Sequence, residues 1–563
     1  MSSPFDPSGF GLPRSTLLLI TWAGAVLAVL AFFSDGAYHD DDLTHYLFAR
    51  DSWRDPSCLL NAWGRPGFTI PYALVAWFGD TAAGFTACRL LSAAITAYTL
   101  VLVAQIAQGL QRPRSQGAGD AETALGSETA AVAWLLAAPL FLHLGTTTLT
   151  ETICALYLAA GTRALVRGRP SVAAAWMALA PLARHEAIVL VVACAVIFAW
   201  RREWRAVVLL SWALVAANVT AAVLGWPLPS AVLTEGQPEG AAKYGTGSLT
   251  FYLVRWVEAC GPLLVVLAGA GGVRFVQSAS PGFARVLRSN WQSDDGRRLT
   301  GALIGLGALG YVVLQTLLYY RNTHASGGYA RFLVPVAPWM ALCAWEGARR
   351  LAAAPPRSLR IALFATGLLL ATAVVAERGI FLAKLETIAP PGILGVLPSV
   401  ADWVTSLAVL GAALLLVALR WPRAGQGVLA ALLALQVVQV AFSLRPHRLG
   451  ARPRAVVEAT REALRAAPAS TPLYSWSVWA SYETRDVLGD GPIGPSAHAS
   501  LYTGLHGDDV APWLKAPSGS LLVWDDGPET GVPLAALLQA VPADVLARAG
   551  GQGTPEVVTL VRR

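Results

Sequence analysis

Charged residues are scarce in this sequence. Of its 563 residues, 14% are Asp, Glu, Lys or Arg, and 55% are apolar. A soluble globular chain has about 25% charged residues. The shortage argues against a cytosolic enzyme and against a disordered or fibrous protein. The composition instead predicts a polytopic α-helical membrane protein.

Lysine is almost absent. Only Lys243, Lys384 and Lys515 carry an ammonium group, so Arg supplies nearly all of the 42 basic residues and of the formal net charge of +7. A basic balance is one mark of nucleic-acid binding. In a membrane protein, however, Arg in the cytoplasmic loops sets the orientation. We therefore expect no nucleic-acid partner.

Several common functional patterns are missing. The six Cys residues are scattered and lie mostly inside apolar runs, and their spacing fits neither a metal site nor a disulfide framework. The glycines form no nucleotide-binding fingerprint. No internal repeat of the transporter type is visible. These absences argue against nucleotide chemistry and weaken the case for a transporter.

Long apolar runs are what the sequence has instead. The first, Thr16–Phe33, is long enough to span a membrane and lacks a signal-peptide cleavage site, so we expect a retained helix. A polar outer loop, residues 34–83, follows. Further runs bring the total to roughly 13 transmembrane helices and predict a transmembrane domain over residues 1–443. These runs lie near residues 84–110, 123–142, 147–166, 171–184, 186–200, 206–225, 250–273, 300–320, 330–348, 359–377, 403–419 and 425–443.

Arg marks one side of these spans. If the loop 34–83 is outside, every predicted inside loop contains Arg, as the positive-inside rule expects. An odd number of spans then places residues 444–563 outside as well. The predicted inside loops cover residues 111–122, 163–170, 201–205, 274–299, 349–360 and 420–424.

Residues 444–563 differ in composition from the rest. Short strand patterns alternate with helical ones, which predicts a small soluble α/β domain on the extracytoplasmic side. The predicted strands are Leu473–Trp476, Ser520–Trp524 and Val557–Val561, and the predicted helices are Arg454–Ala466, Asp509–Lys515 and Pro533–Gln539.

The densest polar cluster directly follows the first span. It contains His39, three successive carboxylates (Asp40, Asp41 and Asp42) and His45. A solvated turn would explain it, because Asp is common in turns. Ionisable groups beside a bilayer are also costly and often functional. One carboxylate suits a general base toward a hydroxyl, and oxygen ligands equally suit a divalent cation.

Other polar residues fall at the predicted outer ends of spans: Arg65, Glu151, Arg184, Glu186 and Arg331. Each alone has an ordinary explanation, such as a helix-end charge or an Arg that reaches the lipid headgroups. Together they predict one outward-facing aqueous cavity. Such a cavity suits a lipid-linked anionic substrate, because a guanidinium group binds phosphate oxygens bidentately.

The order of these features resembles that of the GT-C superfamily of integral membrane glycosyltransferases. That superfamily includes protein O-mannosyltransferases, lipid A aminoarabinose transferases and the mannosyltransferases of lipid-anchor assembly. The resemblance covers about residues 15–345, with two departures: three Asp replace an Asp-Glu pair, and Arg65-Pro66 replaces a His-Pro pair. The matching features are Asp41-Asp42, Pro66–Phe78, Arg89–Ser92, Glu151, Arg184 with Glu186, and Arg331-Phe332.

The resemblance implies transfer of a sugar from a polyprenyl-phosphate donor to a hydroxyl of a lipid, glycan or protein acceptor. The reaction would invert the anomeric carbon at the outer face of a bacterial-type inner or plasma membrane. Asp41 or Asp42 would be the general base, with Asp40 open as a third candidate because three Asp run together, and a divalent cation is the one cofactor that remains open. A transporter or flippase of an anionic lipid or solute, and a non-catalytic protein of the same fold, are the alternatives. The expected substrate-binding residues are His39, Asp40, Arg65, Glu151, Arg184, Glu186 and Arg331.

Overall fold

The structure is a computed structural model in which most of the chain is helical. It describes residues 11–111, 127–233, 246–280, 283–321, 328–352 and 422–466, together with parts of 361–370, 473–482 and 518–562. The α-helices of these residues are α1 (Arg14–Phe32), α2 (Asp40–Asp51), α3 (Pro66–Ala76), α4 (Thr81–Leu110), α5 (Glu128–Leu136), α6 (Pro139–Leu144), α7 (Thr150–Val166), α8 (Pro170–Met177), α9 (Ala180–Ala183), α10 (Ile188–Trp200), α11 (Trp204–Leu209), α12 (Trp212–Leu224), α13 (Phe251–Cys260), α14 (Pro262–Ala279), α15 (Phe283–Arg288), α16 (Asp294–Tyr320), α17 (Ala337–Ala352), α18 (Pro422–Ser443) and α19 (Ala451–Ala466). Short 3-10 helices cover Pro56–Leu60, His185–Ala187, Ala231–Leu233 and Ala330–Val336.

Several helices are long and apolar enough to cross a membrane. Within the described residues there are five such segments, and shorter apolar helices accompany them. A mostly helical chain with membrane-length helices agrees with the predicted fold class. The five segments are Arg14–Phe32, Thr81–Leu110, Pro262–Ala279, Asp294–Tyr320 and Gln426–Ser443.

Some predicted spans are divided into two helices. The run 123–142 contains α5 and the start of α6, and the run 250–273 contains α13 and most of α14. Pro139 and Pro262 stand at the start of the second helix in each case, and Gly261 adopts a φ of 79°. Proline ends a preceding helix because it lacks the N–H and clashes with the previous turn. The span 403–419 and most of 359–377 lie outside the described residues, so the number of spans stays a prediction.

The chain divides into two compact units. The first, called here the helical unit, comprises Met1–Leu30, Leu60–Phe68 and Leu90–Arg445. The second, called the mixed unit, comprises Ala31–Leu59, Thr69–Arg89 and Pro446–Arg563. Residues of the predicted outer loop therefore group with the residues that follow the last described span.

Glycine allows two helices of the helical unit, α14 and α17, to pack closely. A side chain at Gly271 of α14 would overlap the carbonyl oxygen of Cys343 in α17. A Cβ at Gly347 would lie 2.5 Å from the Leu267 carbonyl oxygen. Small residues at such crossings let the backbones of membrane helices approach each other. The close approach fixes α14 and α17 against each other.

The Arg-rich loops of the helical unit meet one another. The Gln292 side chain, just before α16, donates to the carbonyl oxygen of Arg167, just after α7, at 3.0 Å. Arg201, just after α10, donates to the Leu287 carbonyl oxygen at 2.9 Å. Three predicted inside loops therefore lie together, as a common side of the membrane requires.

The mixed unit contains α2, α19 and a four-stranded sheet. The strands are β1 (Leu473–Ser475), β2 (Leu521–Asp525), β3 (Leu546–Arg548) and β4 (Val557–Arg562). Their order is β1-β2-β4-β3, with β1 parallel to β2 and the other pairs antiparallel. The three predicted strands overlap β1, β2 and β4, and the predicted helix Arg454–Ala466 forms part of α19. The predicted helices Asp509–Lys515 and Pro533–Gln539 lie outside the described residues.

Candidate functional site

A buried ion cluster lies in the helical unit. Arg184 donates to Glu151 Oε1 at 3.1 Å through Nη1 and to Glu186 Oε1 at 2.8 Å through Nη2. Glu151 is 1% exposed and Arg184 is 5% exposed. Buried ions are tolerated when they are paired and hydrogen-bonded. One guanidinium group therefore links two carboxylates that are distant in sequence.

Local backbone geometry explains how these three side chains meet. Glu151 belongs to the first turn of α7, where the helix dipole favours a carboxylate. α9 ends at Ala183, and Arg184 takes an extended conformation before the 3-10 turn His185–Ala187 begins. This change of direction between α9 and α10 points Arg184 toward the start of α7.

Arg331 completes the cluster from a third segment. Its Nε lies 3.6 Å from Glu151 Oε1, and the residue is 4% exposed. The Arg331 guanidinium carbon lies 4.6 Å from the ring centre of Tyr329, and that of Arg184 lies 4.3 Å from the ring centre of Phe332. Aromatic faces stabilise guanidinium groups that have lost water. The 3-10 helix Ala330–Val336 thus supplies both a cation and the aromatic surface beside it.

Arg65 joins the same region. Its Nη1 lies 3.0 Å from His185 Nε2, in the turn that carries Arg184 and Glu186. Arg65 has a φ of 62°, a conformation that is uncommon for residues other than glycine and often marks a functional position. The adjacent Gly67 packs against the backbone of α9, where a Cβ would lie 2.7 Å from the Ala183 nitrogen. The start of α3 is therefore held against the Arg184 turn.

Among the described residues, this cluster contains more guanidinium groups than carboxylates. Arg65, Arg184 and Arg331 contribute three positive charges, and Glu151 and Glu186 contribute two negative ones. A guanidinium group binds phosphate oxygens bidentately, so a cluster rich in guanidinium groups suits an anionic ligand.

Two site residues were not predicted from the sequence. The Tyr311 side chain lies close enough to Arg184 and Glu186 to interact with them electrostatically. Gln315 follows one turn later on α16 and lies near the Tyr311 hydroxyl, but neither side chain makes a hydrogen bond of good geometry within the described residues. Both are fully buried. They offer polar atoms to a ligand or to the neighbouring carboxylate.

The acidic residues after the first span form the start of α2 in the mixed unit. His39 is the N-cap, and its Nδ1 accepts a hydrogen bond from the Asp41 backbone nitrogen at 3.2 Å. Asp42 is fully buried, and its Oδ2 accepts from the Tyr38 backbone nitrogen at 3.1 Å. Carboxylates are favoured in the first turn of a helix. Asp40 and Asp41, by contrast, are partly exposed.

This geometry separates the roles of two neighbouring carboxylates. The Asp41 side chain is 46% exposed and lies 3.5 Å from His39 Nδ1. Asp42 accepts from the Tyr38 backbone nitrogen and is closed to solvent. A general base must reach the proton that it accepts. Asp41 therefore meets the requirement for a base, and Asp42 has a structural contact that accounts for its burial.

The structure brings together five of the nine predicted site residues: Arg65, Glu151, Arg184, Glu186 and Arg331. His39, Asp40, Asp41 and Asp42 form a second group in the mixed unit. His185 also belongs to the first group. Its position in the sequence between Arg184 and Glu186 could have indicated this. Among the described residues, no group of three or more His, Cys, Asp and Glu side chains lies close enough to hold a metal ion.

The fold is similar to that of a known membrane protein. The chain matches the crystal structure of ArnT from Cupriavidus metallidurans bound to undecaprenyl phosphate, with a TM-score of 0.54, 16% identity and 97% of each chain covered. It matches the apo state of the same protein with a TM-score of 0.50, 15% identity and the same coverage. No protein-family model matches the sequence, and no curated protein matches it significantly.

These matches establish a shared fold. The predicted resemblance to the GT-C superfamily, whose aminoarabinose transferases include ArnT, is confirmed at that level. The membrane-length helices and this fold together indicate an integral membrane protein. The roles of the individual site residues remain predictions.

Proposed function

We propose that this protein is a glycosyltransferase that moves a sugar from a polyprenyl-phosphate donor to an acceptor hydroxyl on the outer face of the membrane. The observation that carries the proposal is the buried cluster of three guanidinium groups and two carboxylates in the helical unit. Its guanidinium groups suit a lipid phosphate, because they bind phosphate oxygens bidentately. The ArnT structure of the same fold, bound to undecaprenyl phosphate, supports this ligand class.

The three Arg residues have different tasks in this proposal. Arg184 is occupied by Glu151 and Glu186, so it organises the cluster. Arg331 reaches the cluster from the 3-10 helix Ala330–Val336, with its Nε 3.6 Å from Glu151 Oε1, and Arg65 reaches it from the start of α3, with its Nη1 3.0 Å from His185 Nε2. We assign the donor phosphate to Arg331 and Arg65. Their charge would stabilise the phosphate as it leaves the sugar.

Asp41 acts as the general base. The acceptor oxygen attacks the anomeric carbon, and its proton passes to the Asp41 carboxylate. The bond between the anomeric carbon and the phosphate oxygen breaks with its electron pair on the phosphate, and the sugar passes through a state with oxocarbenium character. A single displacement inverts the anomeric carbon. The products are the glycosylated acceptor and the polyprenyl phosphate.

Turnover measurements test this assignment. The purified full-length chain is given a panel of undecaprenyl-phosphate-linked sugars with cell-envelope lipid extract, and release of undecaprenyl phosphate is measured. We expect Asp41→Asn to lower kcat by about 10²–10⁴-fold, because it removes the proton acceptor. Arg331→Ala should cost about 10²–10³-fold in kcat/KM, because it removes a charge at the leaving group.

Two matched variants sharpen this test. Arg205→Ala removes an exposed Arg of α11 and should leave turnover unchanged. Asp42→Asn keeps an oxygen that can accept from Tyr38, so its turnover reports whether position 42 needs a charge. Near-normal turnover in the Asp41, Asp42 and Arg331 variants together would refute the proposal. Movement of undecaprenyl phosphate across vesicle membranes without any sugar transfer would favour the transporter alternative.

A further inference from the structure

The segment that leads into α2 is held by residues from the far end of the chain. The backbone nitrogens of Asp35 and Gly36 both donate to the His447 carbonyl oxygen, at 3.0 and 2.9 Å. In return, the His447 nitrogen donates to Ser34 Oγ at 2.9 Å. The Leu449 nitrogen donates to Asp35 Oδ1 at 3.0 Å. All these residues belong to the mixed unit.

Arg89 holds the same segment from the first turns of α4. Its Nη1 donates to the Ser34 carbonyl oxygen at 2.8 Å, and its Nη2 donates to the Gly36 carbonyl oxygen. Arg89 is 1% exposed and lies against the Phe85 ring, 3.7 Å from its centre. A planar guanidinium group is suited to two acceptors at a fixed separation. The carbonyl groups of Ser34 and Gly36 are therefore bound on one side, and the nitrogens of Asp35 and Gly36 on the other.

The identity of residue 36 follows from this arrangement. A Cβ at Gly36 would overlap the backbone of Arg448 and Leu449. Any larger residue would push the 447–449 segment away. The contact is thus a close backbone approach that requires glycine.

The held segment ends directly before the acidic residues. Tyr38 donates its backbone nitrogen to Asp42, and its ring meets the His447 ring edge-on with centres 6.0 Å apart. His39, the N-cap, then bonds the Asp41 nitrogen. Contacts of residues 34–42 therefore connect the 447–449 segment to the first turn of α2.

We infer that Arg89 and residues 447–449 are positioning elements for the carboxylate of Asp41. They act by setting the place where α2 begins. This inference rests on the proposed function, because it takes Asp41 as the general base. It makes the 447–449 segment a requirement for full turnover.

Asp35 provides the decisive test. Its side chain is 56% exposed, so its replacement should leave the fold intact. Asp35→Ala removes the oxygen that accepts from Leu449, and Asp35→Asn keeps it. With the undecaprenyl-phosphate-linked sugar panel, we expect Asp35→Ala to lower kcat by up to about 10²-fold, the effect of a displacement near 1 Å. Donor KM should stay unchanged, and Asp35→Asn should retain most of the wild-type kcat.

Arg89→Lys and Arg89→Met extend the test. Lysine keeps the charge but cannot bind both carbonyl groups in a fixed geometry, so Arg89→Lys should recover only part of kcat. Asp55→Ala is the matched control, since Asp55 is an exposed Asp of the same unit that binds Ser57 instead. Melting temperatures identify variants that fail to fold. If Arg89→Met fails to fold, the test of the positioning role rests on Asp35→Ala.

The outcomes separate the two proposals. If Asp41→Asn abolishes turnover while Asp35→Ala and Arg89→Lys keep the wild-type kcat, the positioning role is wrong and the proposed function stands. If Asp41→Asn turns over normally, the base assignment itself fails. An equal fall in kcat for Asp35→Ala and Asp35→Asn would also overturn the positioning role, because it would trace the effect to charge alone.

Discussion

At the scale of single residues, Glu151 holds two buried guanidinium groups that come from distant segments. It is 1% exposed and contacts both Arg184 and Arg331. A carboxylate at the start of α7 is an ordinary observation by itself. It matters because the buried guanidinium groups of Arg184 and Arg331 both contact it.

Removing that carboxylate should destabilise the protein strongly. We expect Glu151→Ala to lower the free energy of unfolding by about 3–5 kcal/mol, because it removes a buried carboxylate that pairs with two buried guanidinium groups. Denaturant unfolding of the purified protein in detergent measures this loss. Asp294→Ala is the control: its carboxylate is 54% exposed and pairs with Arg297, so the expected loss is about 1 kcal/mol or less. Equal losses in the two variants would contradict the central place of Glu151.

The sequence indicated most of these residues but not their arrangement. Arg184, Glu186 and Arg331 could be picked out because charge is rare in this chain and stands out at the ends of apolar runs. Tyr311 and Gln315 could not, because an aromatic and an amide side chain within an apolar helix are common without any function. Which of Asp41 and Asp42 is exposed depends on the capping geometry of α2, which three successive Asp residues do not reveal.

At the scale of elements, apolar runs predicted where helices occur and failed to predict where they break. α1 agrees with its predicted span to within a residue or two at each end. The runs around Pro139 and Pro262 were taken as continuous, although each contains a proline that starts a new helix. Hydrophobicity does not distinguish a broken helix from a straight one when both are apolar throughout.

The packing of α14 against α17 gives a prediction at this scale. Gly271→Ala places a methyl group on the Cys343 carbonyl oxygen, and we expect it to cost about 1–3 kcal/mol of stability through overpacking. Gly310→Ala is the matched control on α16, where nothing lies within 4 Å of the new Cβ. It should be neutral or stabilising by up to about 1 kcal/mol, because alanine is the better helix former. Thermal unfolding in detergent compares the two, and a stable Gly271→Ala protein would contradict this close packing.

At the scale of the whole molecule, composition was enough to predict the class of fold. The scarcity of charge and the recurring apolar runs led to an integral membrane protein, and the fold match agrees. The predicted boundary between residues 443 and 444 follows composition along the chain. Contacts in the folded chain group the residues differently, because residues 31–59 and 69–89 belong with 446–563. Composition along the chain does not reveal this grouping.

The orientation of the chain can be tested by cysteine labelling. Five of the six native cysteines are buried, and Cys58 is the exception, so a Cys58→Ser background should react little. On intact cells, a membrane-impermeant maleimide should label Glu458→Cys, which lies on an exposed position of α19. Arg205→Cys should react only after permeabilisation, since its loop is rich in Arg. The reverse pattern would invert the predicted topology.

The bonds between residues 34–36 and 447–449 also fix an order of events during biosynthesis. Ser34 and His447 are 413 positions apart, so the ribosome makes the segment before α2 long before the residues that hold it. Closing so large a loop is slow compared with forming a local turn. When a nascent chain has inserted its early spans, the 447–449 segment that holds the start of α2 has not yet been made. On the proposed function, the enzyme would become active only once translation has passed residue 449, long after the general base at position 41 has been made.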